Sequence, residues 1–393
     1  MSTQTALIAA WARSAVVPRG GAFKTLQAHD IAAPVLRALL QRAAVPAASV
    51  DAVVLGNALG AGGNPARLLA LQAGLPERCA AMTVDTQCCA GLDAVALGAA
   101  LIAAGQAQVV VAGGVEAWSR SPIRMHRPLN SHDVPVAYER PAFAPTPEQD
   151  PDLLLSAARF AAQQGYTRAK QEAYAIDSHA RALAHQTTLA QEIVTVAGVS
   201  HDAYPRAIDP SRAARMPSVA RSDRPARALH LEDDALSTLT ISAQSDGAAL
   251  VLLMSAQAAT RLGVQPRAAW VSSASLGGAP ETPLLVAETA AREALLRAEV
   301  PTPVHLHAVE LHDAFAVQGL SFATYLESLG VDPERLNACG GGLARGHPIG
   351  ASGAIALVRV LADLALEAPV GAQGLVAVAG AGGLGAAAVV AKL

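Results

Sequence analysis

Charge, aromatic rings and cysteine are all scarce in this sequence. Charged residues make up 16% and aromatic residues 3%, against 52% hydrophobic. With few large rings, the core has to come from alanine and aliphatic side chains. That composition suits helices packed tightly on buried sheets, with a subunit interface covering part of the surface. Basic residues are in no surplus, and the formal net charge of -3 gives no case for a nucleic-acid partner. The four cysteines, Cys79, Cys88, Cys89 and Cys339, form no C-x-x-C pair, so no metal site is expected. Adjacent cysteines rarely bridge each other, which points to a reducing, cytoplasmic compartment. The start of the chain has no basic residues followed by a long apolar run, so no signal peptide is expected. The apolar run Ala94 to Val115 is broken by Gln106, Gln108 and several glycines, and the C-terminal run is rich in glycine. Both read as core elements, and no membrane partner is expected.

The 393 residues suffice for two or three domains with real cores. Strand and helix patterns alternate at both ends of the chain, which predicts an α/β layered fold. Strands are expected at Thr5 to Ala10, Val50 to Leu55, a buried Ala81 to Val84, and Val109 to Ala112, the last ending at Gly113 and Gly114. Arg13 to Phe23 reads as a loop. Later strands are expected at Ala268 to Ala274, Val304 to Leu311, Gly374 to Ala379 and Ala386 to Val390. Between them, 118 to 236 is rich in proline and arginine and reads as an insertion carrying two helices, Leu153 to Gln164 and Arg168 to His185. Its arginines, from Arg124 to Arg140 and from Arg221 to Arg227, are either a solvated face or a patch that meets phosphate. The two ends look like copies of one unit, because V-V-V-A-G-G at Val109 parallels V-A-V-A-G-A-G-G at Val376. The expected division is 1–117 plus 237–265, an inserted loop domain at 118–236, and 266–393.

Chemistry concentrates in T-V-D-T-Q-C-C-A-G-L-D-A-V, Thr83 to Val95. The cysteines stand where a strand turns into a helix. Free N–H groups and the helix dipole there favour an anion, which makes a thiol a better nucleophile and can hold an oxyanion. The competing reading is two small buried fillers. A second signal is G-G-G-L-A-R-G-H-P-I-G-A-S-G-A, Gly340 to Ala354, which fixes His347 in a glycine-rich turn ahead of a helix.

These two stretches, with the loop G-N-A-L-G-A-G-G-N-P-A-R from Gly56 to Arg67, resemble the thiolase family from Arg13 to the end of the chain. The resemblance implies a duplicated, five-layered αβαβα architecture with an inserted loop domain. It implies that Cys88 is the nucleophile that takes an acyl group from coenzyme A. His347 takes the thiol proton and helps hold the substrate oxyanion. The N–H groups of Cys88 and Ala381 form the other oxyanion hole, and Ser242 falls near the pantetheine arm, where a plain turn serine is the alternative. Acyl-CoA thioesters would be the substrates, with no permanently bound cofactor, and a homodimer or homotetramer is expected.

Two departures from the family stand out. The second, acid/base cysteine is replaced by Ala379. The usual N-E-A-F turn reads H-D-A-F, His312 to Phe315, which resembles the sterol carrier protein 2 type, except that Ala314 stands where that type has its cysteine. Cys88, His312 and His347 remain, a set that resembles the β-ketoacyl synthases, and the V-D-T before the cysteine leans the same way. Cys89 or Cys339 could supply the missing acid/base group. Three functions follow as expectations: an atypical thiolase-type acyltransferase, a ketosynthase-like condensing or C-acylating enzyme, or a weakly catalytic acyl-CoA-binding subunit, the last two with a possible non-identical partner subunit.

Overall fold

The computed structural model describes residues 5–60, 62–223, 233–300 and 305–393. Its centre is a sheet whose long strands run in the order Ala308–His312, Gln373–Gly380, Leu384–Lys392, Ala268–Gly277, Leu7–Ser14, Ser245–Met254, Val109–Ala117, Ala52–Gly56, Ala80–Val84. The sheet is two copies of one pattern joined edge to edge, where Leu7 and Ile8 pair antiparallel with Ala269 and Ala268. Outward from this seam, each half has two antiparallel pairings followed by a parallel one. In the first half a further parallel strand, Ala80–Val84, closes the edge. In the second half, among the described residues, a single parallel bridge, Val309 to Leu336, stands in that place.

The strands alternate between two buried faces, so they read as continuous apolar runs. Val110, Ala112, Val251 and Leu253 of the first half share one core with Val376, Val378, Ala386 and Ala388 of the second. Two helices fill that core, Ala90–Ala103 and Ser352–Glu367. The opposite face of the first half packs on helices Ala28–Arg42 and Pro65–Ala73, and that of the second on Val286–Arg297 and Ala316–Ser328. The layers are therefore helix, sheet, helix, sheet, helix. The stretch Ile349–Leu366 is apolar enough and long enough to cross a bilayer, but it lies in the middle layer and is 78% buried.

Four sequence expectations need correction. The first strand does not stop at Ala10 but runs on to Ser14, into the stretch read as a loop. Arg13 is fully buried there because Glu192 (2.6 Å) and Asp202 (2.7 and 2.9 Å) neutralise it from the inserted segment. The Val109 strand does not end at Gly113 and Gly114 but continues to Ala117. A Cβ on Gly114 would lie 1.9 Å from the carbonyl oxygen of Gly350, so these glycines mark a close approach inside a strand. Ala80–Val84 is not buried. It is the edge strand, and Met82 is 42% exposed. Of the strand expected at Val304 to Leu311, Val304 lies outside the described residues and the strand observed is Ala308–His312.

The segment between Ala117 and Leu236 carries helices Leu153–Gln164 and Arg168–Ala184 and a small hairpin, Arg124–His126 with Val136–Tyr138. It packs across the second half. Tyr174 donates to Asp313 (2.9 Å), and Ser178 Oγ accepts from the N–H of Gly341 (2.9 Å).

Candidate active site

The two middle-layer helices meet at their N-terminal turns. A Cβ on Gly91 would lie 2.7 Å from the carbonyl oxygen of Gly350 and 3.1 Å from Cβ of Ala354. Only glycine permits this approach, and it brings the turns carrying Cys88 and His347 together.

Cys88 sits in a short 3₁₀ turn, Gln87–Cys89, that opens the Ala90–Ala103 helix. Gln87 has φ +55°, a conformation that disfavours a side chain by about 1 kcal/mol. Asp85 Oδ1 holds it by accepting from the backbone N–H and Nε2 of Gln87, both at 3.0 Å. The turn presents the Cys88 thiol 3.2 Å from Nε2 of His347.

The far side of the imidazole fixes its tautomer. His347 Nδ1 lies 2.7 Å from Ser352 Oγ, and Ser352 Oγ donates to the carbonyl of Pro348 at 3.0 Å. A carbonyl can only accept, so the Ser352 proton goes there and Nδ1 must carry the proton it shares with Ser352. Nε2 is then the lone-pair nitrogen, ready to accept from the thiol. Burial pushes the imidazole down to about 4, so His347 is neutral at pH 7. Burial also pushes the Cys88 thiol up to about 12, opposed by the backbone N–H groups of Ala381 and of Cys88 itself. The resting pair is thiol and neutral imidazole, with two backbone donors aimed at the sulfur.

His312 ends its strand with the ring stacked on His347, centroids 4.3 Å apart. Burial, then His347 and Arg345, hold it well below the usual histidine range. Among the described residues its buried Nε2 has no hydrogen-bond partner. A Cβ on Gly342 would lie 2.7 Å from this ring, so that glycine makes the room.

Ser242 is buried close by, and its hydroxyl donates to the carbonyl of Gly342 at 2.6 Å. Ala379 lies in the Gln373–Gly380 strand opposite Gly385, and the carbonyl of Ala314 accepts from the N–H of Ser242. Cys89 is turned away to the carbonyl of Val378 (3.6 Å), and burial raises its thiol well above the usual range. Cys339 is buried near Arg359, Asp363 and Glu310. Of the basic segments, Arg140 is held by Asp150, and Arg221 by Asp233 at 2.9 Å. Arg224 and Arg227 lie outside the described residues.

Sequence reasoning missed two supports of this site. Ser352 was visible only as one more letter in G-H-P-I-G-A-S-G. Glu116 had a clearer signal, a lone carboxylate in an apolar strand. It accepts from Asn57 Nδ2 (2.9 Å) and from the N–H groups of Ala58 (3.0 Å) and Gly350 (3.1 Å). It thus ties the loop after Gly56 to the turn after His347, and burial raises its carboxyl to about 7.

Known proteins resemble this chain along almost its whole length. The family described as "Thiolase, N-terminal domain" matches residues 6–257, and "Thiolase, C-terminal domain" matches residues 264–392. A putative acetyl-CoA C-acetyltransferase of Bacillus subtilis is 34% identical over 370 residues, 94% of each chain. An acetyl-CoA acetyltransferase of Rhizobium meliloti is 34% identical over 411 residues, covering both chains fully. Among solved structures, the acetyl-CoA acetyltransferase of Bacillus anthracis superposes with a TM-score of 0.87 at 28% identity and full coverage of both chains. With two family domains spanning it end to end, this chain belongs to the thiolase family.

Proposed function

We propose that this chain is a thiolase-type acyl-CoA C-acyltransferase that works through an acyl-enzyme on Cys88. The observation that carries the reading is the 3.2 Å contact between the Cys88 thiol and the lone-pair nitrogen of His347. In the first step the sulfur attacks the thioester carbonyl while its proton passes to His347 Nε2. The N–H groups of Cys88 and Ala381 hold the oxyanion. The C–S bond to coenzyme A breaks, the leaving thiolate takes the proton back from His347, and the acyl group stays on Cys88. In the second step Nε2 of His312 takes the α-proton of a carbon acceptor, the resulting carbanion attacks the acyl carbonyl held by the N–H groups of Cys88 and Ala381, the C–S bond to Cys88 breaks, and the Cys88 thiolate takes up that proton. Coenzyme A is a substrate here, not a resident cofactor, and Ser242 is assigned to the pantetheine arm.

The enzyme is atypical, because Ala379 and Ala314 offer no thiol to move an α-proton. His312 is the group we assign to that gap. Its stack on His347 favours a second reading, a ketosynthase-like condensing or C-acylating enzyme with a Cys-His-His set and an already activated carbon nucleophile. A weakly catalytic acyl-CoA-binding subunit is the third reading. The proposed division remains 1–117 plus 237–265, 118–236 and 266–393, with a cytoplasmic homodimer or homotetramer as the working form. Supporting self-association are the half-exposed edge strand Ala80–Val84 and a hairpin that exposes Met125 (55%) and Val136 (66%).

Intact-protein mass after incubation with a panel of acyl-CoA thioesters tests the assignment. One acyl group should add to the wild type and none to Cys88→Ala. Acceptor-dependent loss of the label then separates the first two readings. Binding of the panel without any labelling would overturn both and leave the third.

A further inference from the structure

A cavity of about 570 Å³ opens beside the turns that carry Cys88 and His347. Its floor includes Gln87 and Ile349, which flank Cys88 and His347, and Gln244, whose backbone pairs with His347. The walls come from the inserted segment: Trp118, Ile123, Tyr138, Phe143 and Leu153. This volume is that of a pocket for a drug-sized ligand. A two-carbon acyl group would leave most of it to water, against walls that favour an apolar stem.

The charges at its rim are unevenly matched. Arg140 is taken up by Asp150 and lies over the Phe143 ring. Asp152 caps the Leu153–Gln164 helix through the N–H groups of Leu154 and Leu155. Arg19 has a neutral amide, Gln244 Oε1 at 3.1 Å, the outlying Glu139 at 4.0 Å, whose side chain is 88% exposed, and the longer-range field of the buried Asp246 carboxylate. Among the described residues Arg124 meets only the backbone carbonyl of Ala58, at 3.4 Å. Among the described residues, then, two guanidinium groups line an apolar chamber with no carboxylate closer than 4.0 Å to either. A guanidinium in that position is suited to an anion on the ligand.

Resting on the transferase reading, we infer that the chamber takes the acyl group and that the acyl group is several carbons long with a distal carboxylate. The stem lies against Trp118, Phe143 and Leu153, and the carboxylate lies between Arg19 and Arg124.

Calorimetric titration of full-length Cys88→Ala, which cannot be acylated at that sulfur, tests this with adipyl-CoA, hexanoyl-CoA and free coenzyme A. The first two differ only in the terminal carboxylate. Adipyl-CoA should bind roughly tenfold more tightly at low salt, with the preference shrinking in ~0.5 M NaCl. In a background of Arg19→Gln with Arg124→Gln the affinity ratio should collapse towards one. Equal or tighter binding of hexanoyl-CoA before those changes overturns the inference. So does a loss of affinity for free coenzyme A as large as that for adipyl-CoA, because the arginines would then serve the phosphates. If the affinity pattern holds but neither thioester acylates the wild type, the transferase reading fails and the pocket assignment stands.

Discussion

The imidazole rings of His312 and His347 lie stacked, 4.3 Å between centroids and 30° between planes. Both are kept neutral by burial. Only one of them reaches the thiol: His347 Nε2 faces Cys88, while His312 Nε2 has no hydrogen-bond partner among the described residues. The stack therefore separates two duties. Replacing His312 by alanine should leave acylation of Cys88 within about threefold of wild type. It should slow the carbon-centred second step by ~10²–10⁴-fold, the usual worth of a positioned acid or base. Single-turnover acylation by intact mass and acceptor-dependent release measure the two separately. Equal losses in both would place His312 in the first step as well.

The pH dependence of acylation has a defined sign. His347 must be neutral to accept the thiol proton, and its value of about 4 lies below the ordinary 6.5. The rate should fall only as pH drops through about 4. At the alkaline end the thiol, at about 12, contributes no limb below pH 9. Acylation should thus be flat between about pH 5 and 9, read by quench and mass analysis over the range in which the protein stays folded. An acidic limb near 6.5 would mean that the imidazole is hydrated before the substrate arrives.

Local signals made much of this legible from the sequence. Cys88 and His347 each lie in a glycine-bearing turn ahead of a helix, and the helix spacing needs no knowledge of the rest of the chain. The duplication was legible for the same reason. What was hidden depends on partners distant in sequence. Arg13 looked like a loop residue because Glu192 and Asp202, its partners, lie 179 and 189 residues away. Gly114 looked like a strand end because the obstacle it avoids, Gly350, belongs to the other copy. Ala80–Val84 looked buried because its composition is that of an inner strand, while its edge position follows from the strand order alone.

Glu192 joins both copies to the inserted segment. Its carboxylate accepts from Arg13 in the first strand and from Arg359 in the Ser352–Glu367 helix, and all three side chains are buried. Removing it leaves two guanidinium groups with a missing partner in a dry place. Glu192→Ala should destabilise the fold by about 3–5 kcal/mol, measured by urea unfolding. Asp202 still pairs with Arg13 and Asp363 with Arg359, so the loss should fall short of unfolding at 25 °C. A change below about 1 kcal/mol would mean that water reaches the cluster and screens it.

Ala379 gives the sharpest test of the atypical chemistry. On the proposed reading Ala379 stands in place of an acid/base cysteine, and the strand offers a methyl group two residues before the N–H of Ala381 that faces Cys88. Ala379→Cys adds one sulfur to the strand that leads to Ala381, whose N–H faces Cys88. If the missing thiol limits the second step, the variant should condense or thiolyse unactivated acyl-CoA at least tenfold faster, with acylation of Cys88 unchanged. If His312 already moves the α-proton, the gain should vanish in wild-type His312 and appear only beside His312→Ala. If neither background gains, the natural acceptor needs no α-proton removed, and the weight moves to the ketosynthase-like reading.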